Sequence, residues 1–233
     1  MKKIIILSLF LLNTNLHAAE KLDATVFIYD EKEAGTEVSN VRYILTDDFM
    51  RIDEGKAEDD FLLYDVKKNI LYNINHEDKT IMFIESQTWT MPQNIGRQVI
   101  DKKLPDAPKI AGKAVAQYHL IAHEKICAEV QYIPDIYKSE RVILSRYQYL
   151  LSGQLVSSLN NTPKEMQTDC MLVDRVYRSG NLYNKGLPIQ EQHENGYIKI
   201  LVSFSKQKID KNLFVLPDAY EKYQPFSLPN QNQ

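Results

Sequence analysis

The stretch "DDFLLYDVKKNILYNINHEDKTIMFIE", residues 59–85, decides the predicted fold because it contains three apolar runs separated by two short polar breaks. The runs are rich in Ile, Leu, Phe and Tyr, which suit a pleated and half-buried strand. Breaks of this length join antiparallel neighbours, since a parallel crossover needs a dozen or more residues. Residues 59–85 are therefore predicted to form an antiparallel meander.

Similar runs on either side extend this sheet. Upstream, the predicted strands are ATVFIYD (24–30), SNVRYIL (39–45) and FMRID (49–53), with turn residues between the last two. Downstream, GKAVAQYHLIAHEKICAEVQYI (112–133) predicts two strands around a polar turn. Its alternation of polar and apolar residues is imperfect, which indicates a sheet that is partly covered on both faces.

The hydrophobic period then changes to that of a helix. One amphipathic helix is predicted over residues 139–159, where apolar positions recur at helical spacing. A second is predicted to follow at once, because Thr162 can cap it and Pro163 suits its first turn. The apolar stripe of this second helix consists of Met166, Cys170, Val173 and Tyr177. Gly180 is the predicted stop.

The chain returns to strands after this helical pair. LPIQEQHE (187–194) and YIKILVSFS (197–205) flank Asn195-Gly196, and Asn-Gly between alternating runs predicts a hairpin with a type I′ turn. The segment LFVLPDAYEKY (213–223) precedes a polar tail. The predicted fold class is α+β, a large and mainly antiparallel sheet with a covering helical pair.

The first residues have the form of an export signal. Lys2 and Lys3 precede an apolar centre over residues 4–12, and small residues end the segment. The apolar centre is shorter than the ~20 residues that span a bilayer. Residues 1–19 are therefore interpreted as a cleaved signal peptide, with a buried first helix as the alternative. The mature chain is expected in the periplasm of a Gram-negative bacterium and is not expected to span the membrane.

The charge of the chain is mildly acidic. The 28 Lys and Arg residues and 31 Asp and Glu residues give a formal net charge of −3, and removal of Lys2 and Lys3 with the signal makes it −5. A nucleic-acid binder ordinarily carries a basic surface. No nucleic-acid partner is therefore expected.

Two cysteines, Cys127 and Cys170, remain after removal of the signal. In an oxidising compartment an isolated pair of this kind predicts a disulfide. Two buried reduced thiols are the alternative, and a redox-active pair is disfavoured because the chain has no Cys-x-x-Cys motif. Since Cys127 falls in a predicted strand and Cys170 in a predicted helix, the bridge would attach helix to sheet.

In the order of its elements the chain resembles the LolA/LolB-type superfamily of bacterial envelope proteins, and is nearest to its uncharacterised members. The resemblance rests on the signal, on FMRIDEG (49–55) and LLYDVKKNILYNI (62–74), on the helical insertion, and on an ending with Phe214, Pro217 and Tyr220 at Phe-x-x-Pro-x-x-Tyr spacing. It implies a strongly curved, unclosed β-barrel with helices in its mouth. It also implies an apolar site for an acyl chain or a lipoprotein.

This resemblance implies one half-barrel domain over residues 20–226, with a helical insertion at about 137–180 and a polar tail over 227–233. It further implies a ligand-binding role for Arg51, because similar proteins often have an arginine at this place in the FMRID strand. A solvated or salt-bridged side chain is the alternative for Arg51.

Motifs of the common hydrolases and nucleotide-binding enzymes are missing from the sequence. It contains no Gly-x-Ser-x-Gly elbow, no His-Glu-x-x-His and no Walker loop. His119 and His123 would lie ~13 Å apart along a strand, too far to share a metal, and the acidic turns of residues 47–60 match no EF-hand loop. We therefore expect no enzymatic activity, no cofactor and no metal, with an unrecognised hydrolase as the least favoured alternative.

The aromatic content favours a binding function. The chain has 14 Tyr, 8 Phe and 1 Trp, and amphipathic aromatics are enriched at pocket mouths and interfaces. Trp89 and Met91 are predicted to form a flap over the concave face, with ordinary edge packing as the alternative. The expected function is a periplasmic, non-enzymatic binding protein for a hydrophobic ligand, namely an acyl chain, a lipid or a lipidated partner. The alternative is a protein-interaction module of a cell-envelope complex.

Overall fold

The computed structural model describes residues 20–56, 58–90, 96–102, 104, 106–177 and 181–225, and its main element is one sheet of twelve strands. The strands are β1 (Lys21–Lys32), β2 (Ser39–Leu45), β3 (Phe49–Asp53), β4 (Phe61–Asp65), β5 (Ile70–Asn75), β6 (Thr80–Glu85), β7 (Arg97–Lys102), β8 (Ala116–Ala122), β9 (Lys125–Ile133), β10 (Leu187–His193), β11 (Ile198–Asp210) and β12 (Glu221–Tyr223). Their order across the sheet is β12-β6-β5-β4-β3-β2-β1-β11-β10-β9-β8-β7. The predicted signal peptide and polar tail lie outside the described residues.

The predicted meander is confirmed, since β2 to β6 follow one another as antiparallel neighbours. Local hydrogen bonds stabilise its last two turns. The Asp65 carboxylate accepts from the Lys68 N–H at 2.9 Å, and the Asn75 side chain accepts from the Asp78 N–H at 2.6 Å. Such side-chain hydrogen bonds stabilise a turn and so end the strand before it.

Strand β1 pairs with β2 on one side and with β11 on the other, and this second pairing joins the two ends of the chain. It begins with Lys21 opposite Asp210 and continues along the whole of β1, with one register shift after Ile28. The partners are separated by most of the sequence, so no local pattern predicts this pairing.

The two edges of the sheet differ from the prediction in detail. β12 pairs with β6 in parallel, Glu221 opposite Thr80, whereas every other strand pair of the described residues is antiparallel. The sheet is therefore mixed. β7 is an edge strand in a region where no strand was predicted. In the part of the chain that the structure describes, β7 and β12 do not pair with each other, so the sheet is unclosed; its closer likeness to a LolA-type half-barrel stays a prediction.

Helix α1 (Lys138–Ser158) confirms the first predicted helix. It packs Ile143, Leu144 and Leu150 against the sheet. At its carboxyl end the chain continues into a 3-10 turn, Leu159–Asn161.

The second predicted helix is wrong as a continuous element. The chain forms instead a 3-10 turn (Lys164–Met166), helix α2 (Asp169–Leu172), a π-helical turn (Val173–Tyr177) and helix α3 (Asn181–Lys185). The break falls at Thr168, which has an extended backbone and whose hydroxyl accepts from the Met171 N–H at 3.1 Å. The Gln167 side chain donates to the carbonyl oxygens of Leu159 and Thr162 at 2.8 and 2.7 Å. Because Thr168 caps the Met171 N–H, it starts a separate helix.

The hairpin around Asn195-Gly196 is confirmed, but its turn is not of type I′. Of the two residues only Gly196 has a positive φ, 85°, whereas a type I′ turn needs positive φ at both. The Gly196 N–H donates to the His193 carbonyl oxygen, and the His193 N–H donates to that of Tyr197, each at 2.9 Å. The loop is therefore longer than two residues, with Gly196 in the left-handed position of a bulge.

Both faces of the sheet carry buried apolar side chains. On the face that α1 covers, strands β1 to β5 contribute Phe27, Tyr29, Tyr43, Leu45, Met50, Ile52, Tyr64 and Leu71. On the opposite face, Phe214 of the 3-10 turn Lys211–Phe214 packs in a cluster with Ile44, Leu63, Ile74 and Ile81. Both faces of this half of the sheet are therefore covered.

The predicted disulfide is confirmed between Cys127 of β9 and Cys170 of α2, with the two Cα atoms 4.9 Å apart. It attaches a helix of one turn to the sheet. A disulfide is typical of proteins in an oxidising compartment. None of the helices in the described ranges is long and apolar enough to cross a membrane.

Candidate functional site

A cavity of about 600 Å³ lies between α1 and the sheet. This volume is within the range of small-molecule sites, roughly 300–1,000 Å³. Helix α1 contributes Tyr147, Gln148, Leu151, Gln154, Leu155 and Ser158. The sheet, its loops, the π-helical turn and α3 contribute Glu31, Glu33, Tyr43, Asp174, Arg175, Tyr183, Glu191, His193, Asn195, Tyr197 and Lys199.

The floor of this cavity is a row of three charged residues on adjacent strands. Glu191 of β10 lies directly opposite Lys199 of β11, and Lys199 lies directly opposite Glu31 of β1. Opposite residues project from the same face, with Cβ atoms roughly 5 Å apart. Glu191 and Lys199 are 3% and 8% exposed. Strand register, and not sequence proximity, therefore brings these charges together.

The Lys199 ammonium is held by two polar groups and two aromatic rings. It donates to the Tyr43 hydroxyl at 2.7 Å and forms an ion pair with Glu31 at 3.0 Å. It also lies 4.0 and 4.2 Å from the ring centroids of Tyr43 and Tyr29, an attractive cation–π arrangement. Burial by itself lowers the pKa of Lys199, but Tyr43 and Glu31 raise that pKa well above its usual value. Lys199 is therefore a cation.

Both carboxylate oxygens of Glu31 accept hydrogen bonds. Oε1 accepts from the Tyr43 hydroxyl at 3.0 Å, and Oε2 accepts from the Tyr197 hydroxyl at 2.7 Å. Burial alone raises the pKa of Glu31, but the Lys199 charge and the bonds from Tyr197, Lys199 and Tyr43 outweigh it and lower that pKa. The floor is therefore a preorganised network of fixed charges.

Four tyrosines around the network keep their protons. Burial is the main cause that raises the pKa of Tyr29, Tyr43, Tyr147 and Tyr197. A neutral phenol both donates and accepts hydrogen bonds. Of these four, Tyr43, Tyr147 and Tyr197 line the cavity. Tyr147 and Tyr197 offer their hydroxyls to a ligand, whereas the Tyr43 hydroxyl already accepts from Lys199 and donates to Glu31.

A second polar group in the cavity centres on His193. Its Nδ1 lies 2.6 Å from an oxygen of Asp174, and its Nε2 lies 3.5 Å from an oxygen of Glu191. Its ring meets that of Tyr197 edge to face, with centroids 5.1 Å apart. Glu191 thus links the His193 group to the charged row, and the bulged hairpin loop places His193 beside Tyr197.

The disulfide lies behind this histidine. A smaller cavity of about 60 Å³ is lined by Cys127 and Cys170 and shares Asp174 and His193 with the main cavity. Because α2 and the π-helical turn are continuous, the bridge at Cys170 anchors the segment that carries Asp174. In the described ranges no group of three or more His, Cys, Asp or Glu residues is arranged to hold a metal ion.

The structure places Arg51 on the sheet face opposite α1, away from the cavity lining. Its guanidinium is 2.5 Å from the Asp53 carboxylate, donates to the Leu213 carbonyl oxygen at 2.8 Å, and stacks 3.6 Å from the Phe61 ring centroid. Burial alone raises the pKa of Asp53, but bonds from Arg42 and Arg51 lower it. These contacts correspond to the salt-bridged alternative for Arg51.

Trp89 lies on the α1 face, so the structure does not bring it together with Arg51. Its ring is 5.0 Å from that of Tyr149 and packs against Gly153 of α1. Neither Trp89 nor Tyr149 lines the main cavity. Met91, the other predicted flap residue, lies outside the described residues.

The two histidines that the sequence analysis considered as metal ligands have separate partners. His119 Nε2 is 3.5 Å from Glu129, and His123 Nδ1 is 3.9 Å from Asp169. His119 lies in β8 and His123 in the turn that follows it.

Sequence reasoning missed the residues that build the cavity, although two signals were present. Lys199 interrupts an otherwise apolar run, YIKILV, and is the one buried residue of β11. Glu191 and His193 are two positions apart on one strand and therefore share a face. Neither signal could identify the partners, because Glu31 and Asp174 are distant in sequence.

No family model matches the chain, and no curated protein matches it. Two solved structures of a protein named PNGF-II, in the C2 and P21 space groups, are 13% and 12% identical to it, with TM-scores of 0.42 and 0.41. The matches cover 87% of this chain and 31% and 32% of those chains, so this chain spans about a third of their length. Likeness at this level carries no argument about function. The resemblance to LolA-type proteins stays a prediction.

Proposed function

We propose that this chain is a non-enzymatic binding protein of the periplasm and that its ligand occupies the cavity between α1 and the sheet. The signal peptide predicted over residues 1–19 and the predicted resemblance to LolA-type carriers, both from the sequence, support the compartment and the class. The disulfide is consistent with an oxidising compartment.

The observation that carries the proposal is the position of the buried charged row. It borders a cavity and is not enclosed in a packed apolar core. Replacing a buried ion pair by apolar residues of similar volume is often neutral or stabilising. Fold stability therefore gives little reason for Lys199 between Glu31 and Glu191. A pocket with a few fixed polar groups is the usual form of a small-molecule site.

The proposed ligand has an apolar part. Tyr147, Leu151 and Leu155 of α1 form one wall of the cavity, opposite the charged row. An acyl chain, or the lipid of a lipidated partner, would lie along this wall with its polar end on the floor. The acyl chain, lipid or lipidated partner expected from the sequence is thus proposed to bind as an amphipathic ligand.

The buried serine of α1, Ser152, is not placed to act as a nucleophile. Ser152 of α1 is fully buried, and its hydroxyl contacts the carbonyl oxygens of Gln148 and Arg175 at 2.9 and 2.6 Å. A serine nucleophile needs a base that accepts its proton, and carbonyl oxygens do not serve as one.

The test is native mass spectrometry of protein taken from a bacterial periplasm without detergent, followed by extraction of bound molecules. We expect a reproducible added mass that extracts as an amphiphile. Leu155→Trp, which fills the cavity, should lose this mass. Val142→Trp is the matched control, because Val142 lies on the same helix with 59% exposure and outside the cavity.

Retention of the added mass by a folded Leu155→Trp variant would place the ligand elsewhere and overturn the proposal. A clean apo mass for the unmodified chain, together with no gain in melting temperature on adding amphiphiles, would do the same.

A second candidate, a protein-interaction module, is favoured by the exposed edge strand β7. All six of its residues are exposed, and Val99 and Ile100 are 50% and 37% exposed. An exposed edge can add a strand from a partner. Crosslinking from Val99 in the periplasm tests this candidate; a single captured envelope protein, lost on Val99→Pro, would support it over the first.

A further inference from the structure

We propose that the polar end of the ligand is an uncharged, hydroxylated group such as a sugar ring, so that the cavity takes a glycoside-type amphiphile. This inference rests on the proposed binding function and adds to it the chemical class of the ligand. It is argued from the charges, rings and neutral polar groups of the cavity.

Anionic head groups do not fit the cavity, because its lining carries four carboxylates, Glu31, Glu33, Asp174 and Glu191, against two residues of fixed positive charge, Lys199 and Arg175. The Lys199 ammonium, the cation of the row, is already bound to Glu31 and Tyr43 at 3.0 and 2.7 Å. A phosphate or carboxylate would have to displace Glu31 from Lys199. It would then also lie near Glu191, which is directly opposite Lys199 and 3% exposed. Like charges at such distances in a buried site are strongly unfavourable.

Cationic head groups do not fit either. The positions over the rings of Tyr29 and Tyr43, where an ammonium would bind best, are taken by Lys199 at 4.2 and 4.0 Å. The Glu31 carboxylate is already bound by Lys199, Tyr43 and Tyr197. Glu191, the other carboxylate of the row, lies directly opposite Lys199 and 3.5 Å from Nε2 of His193, so a second cation at Glu191 would also lie beside the Lys199 ammonium.

Neutral hydroxyl groups fit the uncharged polar residues of the cavity lining. The Tyr197 hydroxyl donates to Glu31 and so can still accept a hydrogen bond from a ligand. Further neutral donors and acceptors in the lining are Gln148, Gln154, Ser158 and Asn195. The phenol rings of Tyr147 and Tyr197 offer flat apolar surfaces to a sugar ring. A hydroxyl, like these groups, both donates and accepts.

The experiment compares three probes that share one chain and differ only in head group: octyl β-glucoside, octyl phosphate and octylammonium. Each is titrated calorimetrically into the unmodified protein below its critical micelle concentration. We expect octyl glucoside to bind about tenfold more tightly than either charged probe, and free glucose to compete weakly with it.

Glu191→Gln tests the charge argument directly. It should tighten octyl phosphate binding about tenfold by removing a buried like charge, and so reduce the difference in affinity between octyl phosphate and octyl glucoside. Glu129→Gln is the matched control, because Glu129 lies opposite Gln192 on the neighbouring strand β9 and outside the cavity; it should change neither affinity.

The outcomes separate this inference from the function on which it rests. Octyl phosphate or octylammonium could instead bind most tightly and lose this binding in the Leu155→Trp variant. That result would overturn the proposed head-group class and leave the binding function standing. Absence of heat with all three probes would overturn both. Equal affinity for the three probes would show that the chain alone is recognised, and would overturn the head-group class.

Discussion

Lys199 is unusual for a lysine because it is buried, with 8% exposure. Lysine is almost never fully buried without partners. Here two neighbouring tyrosines and Glu31 replace the hydration shell of the ammonium. The cost of desolvation is therefore offset by contacts that hold only while the strands keep their register.

Lys199→Met is expected to lower the free energy of unfolding by about 3–5 kcal/mol, because it leaves Glu31 buried without its cation. Urea denaturation measures this change. Lys208→Met on the same strand is the control; its ion pair with Asp23 is exposed, 61% and 87%, and should contribute less than about 1 kcal/mol. A loss of less than about 1 kcal/mol for Lys199→Met would mean that the Lys199 network contributes no more to stability than an exposed ion pair does.

The pH dependence of stability should report Glu31. Its pKa is lowered from 4.5 in the folded chain, so its contribution is present above the unfolded value and is lost as the pH falls through the folded pKa. Glu31→Gln should therefore lose less stability between pH 6 and pH 3 than the unmodified chain does. Urea midpoints at the two pH values measure this. Parallel pH curves for the two proteins would contradict the proposed ionisation of Glu31.

At the scale of elements, α1 is fixed by close contacts with loops as well as by apolar packing. A Cβ built on Gly153 would lie 2.7 Å from Cδ1 of Trp89, so glycine is needed at this point of the helix for the indole to approach. The Arg146 guanidinium donates to the Val66 carbonyl oxygen at 2.7 Å, which ties the same helix to the meander.

Gly153→Ala should displace Trp89 and shift its fluorescence to longer wavelength. Trp89 is the single tryptophan of the chain, so emission reports this contact directly. The helix gains about 1 kcal/mol in propensity, and overpacking costs about 1–3 kcal/mol, so a small net loss of stability is expected. Val142→Ala, on the exposed face of α1, is the control and should leave the emission unchanged.

Removal of the disulfide should loosen the segment that carries Asp174. The bridge closes a loop of 43 residues, and in the chain-entropy model its loss costs about 4 kcal/mol. A Cys127→Ala and Cys170→Ala double variant should show this loss in urea denaturation, and a reductant should reproduce it in the unmodified chain. An unchanged midpoint in both would mean that α2 is held by packing alone.

At the scale of the whole molecule, β1 and β11 join the meander of the first half to the β7–β10 half. Buried residues of β1 include Val26 and Phe27, at 3% and 0% exposure. Since β1 is paired on both sides, a break within it affects both halves. Such long-range pairing is also typical of slowly folding proteins.

Val26→Pro should unfold both halves in one transition, because proline in a central strand removes a ladder hydrogen bond and clashes with its neighbours. Circular dichroism and Trp89 fluorescence measure this. Lys222→Pro, on the short and exposed edge strand β12, should leave the fold intact. Retention of a folded meander by Val26→Pro would show that the first half folds independently.

Much of the sheet could be predicted because strand positions follow local signals. The bounds of β2 and β3 agree with the predicted strands SNVRYIL and FMRID. β7 was missed because its residues are exposed on all sides and carry no apolar pattern. The second helix was mispredicted because Thr168 and Gln167 compete for backbone groups, which an apolar stripe does not record.

The sequence by itself determined the strands of the meander, the first helix and the cysteine pair, since each depends on residues close in the chain or on composition. Only the tertiary structure decided that β1 pairs with β11, and hence that Glu31 faces Lys199 and Glu191. The physical reason is that register between distant strands depends on how whole faces pack, and a shift of one residue would turn Lys199 away from the cavity.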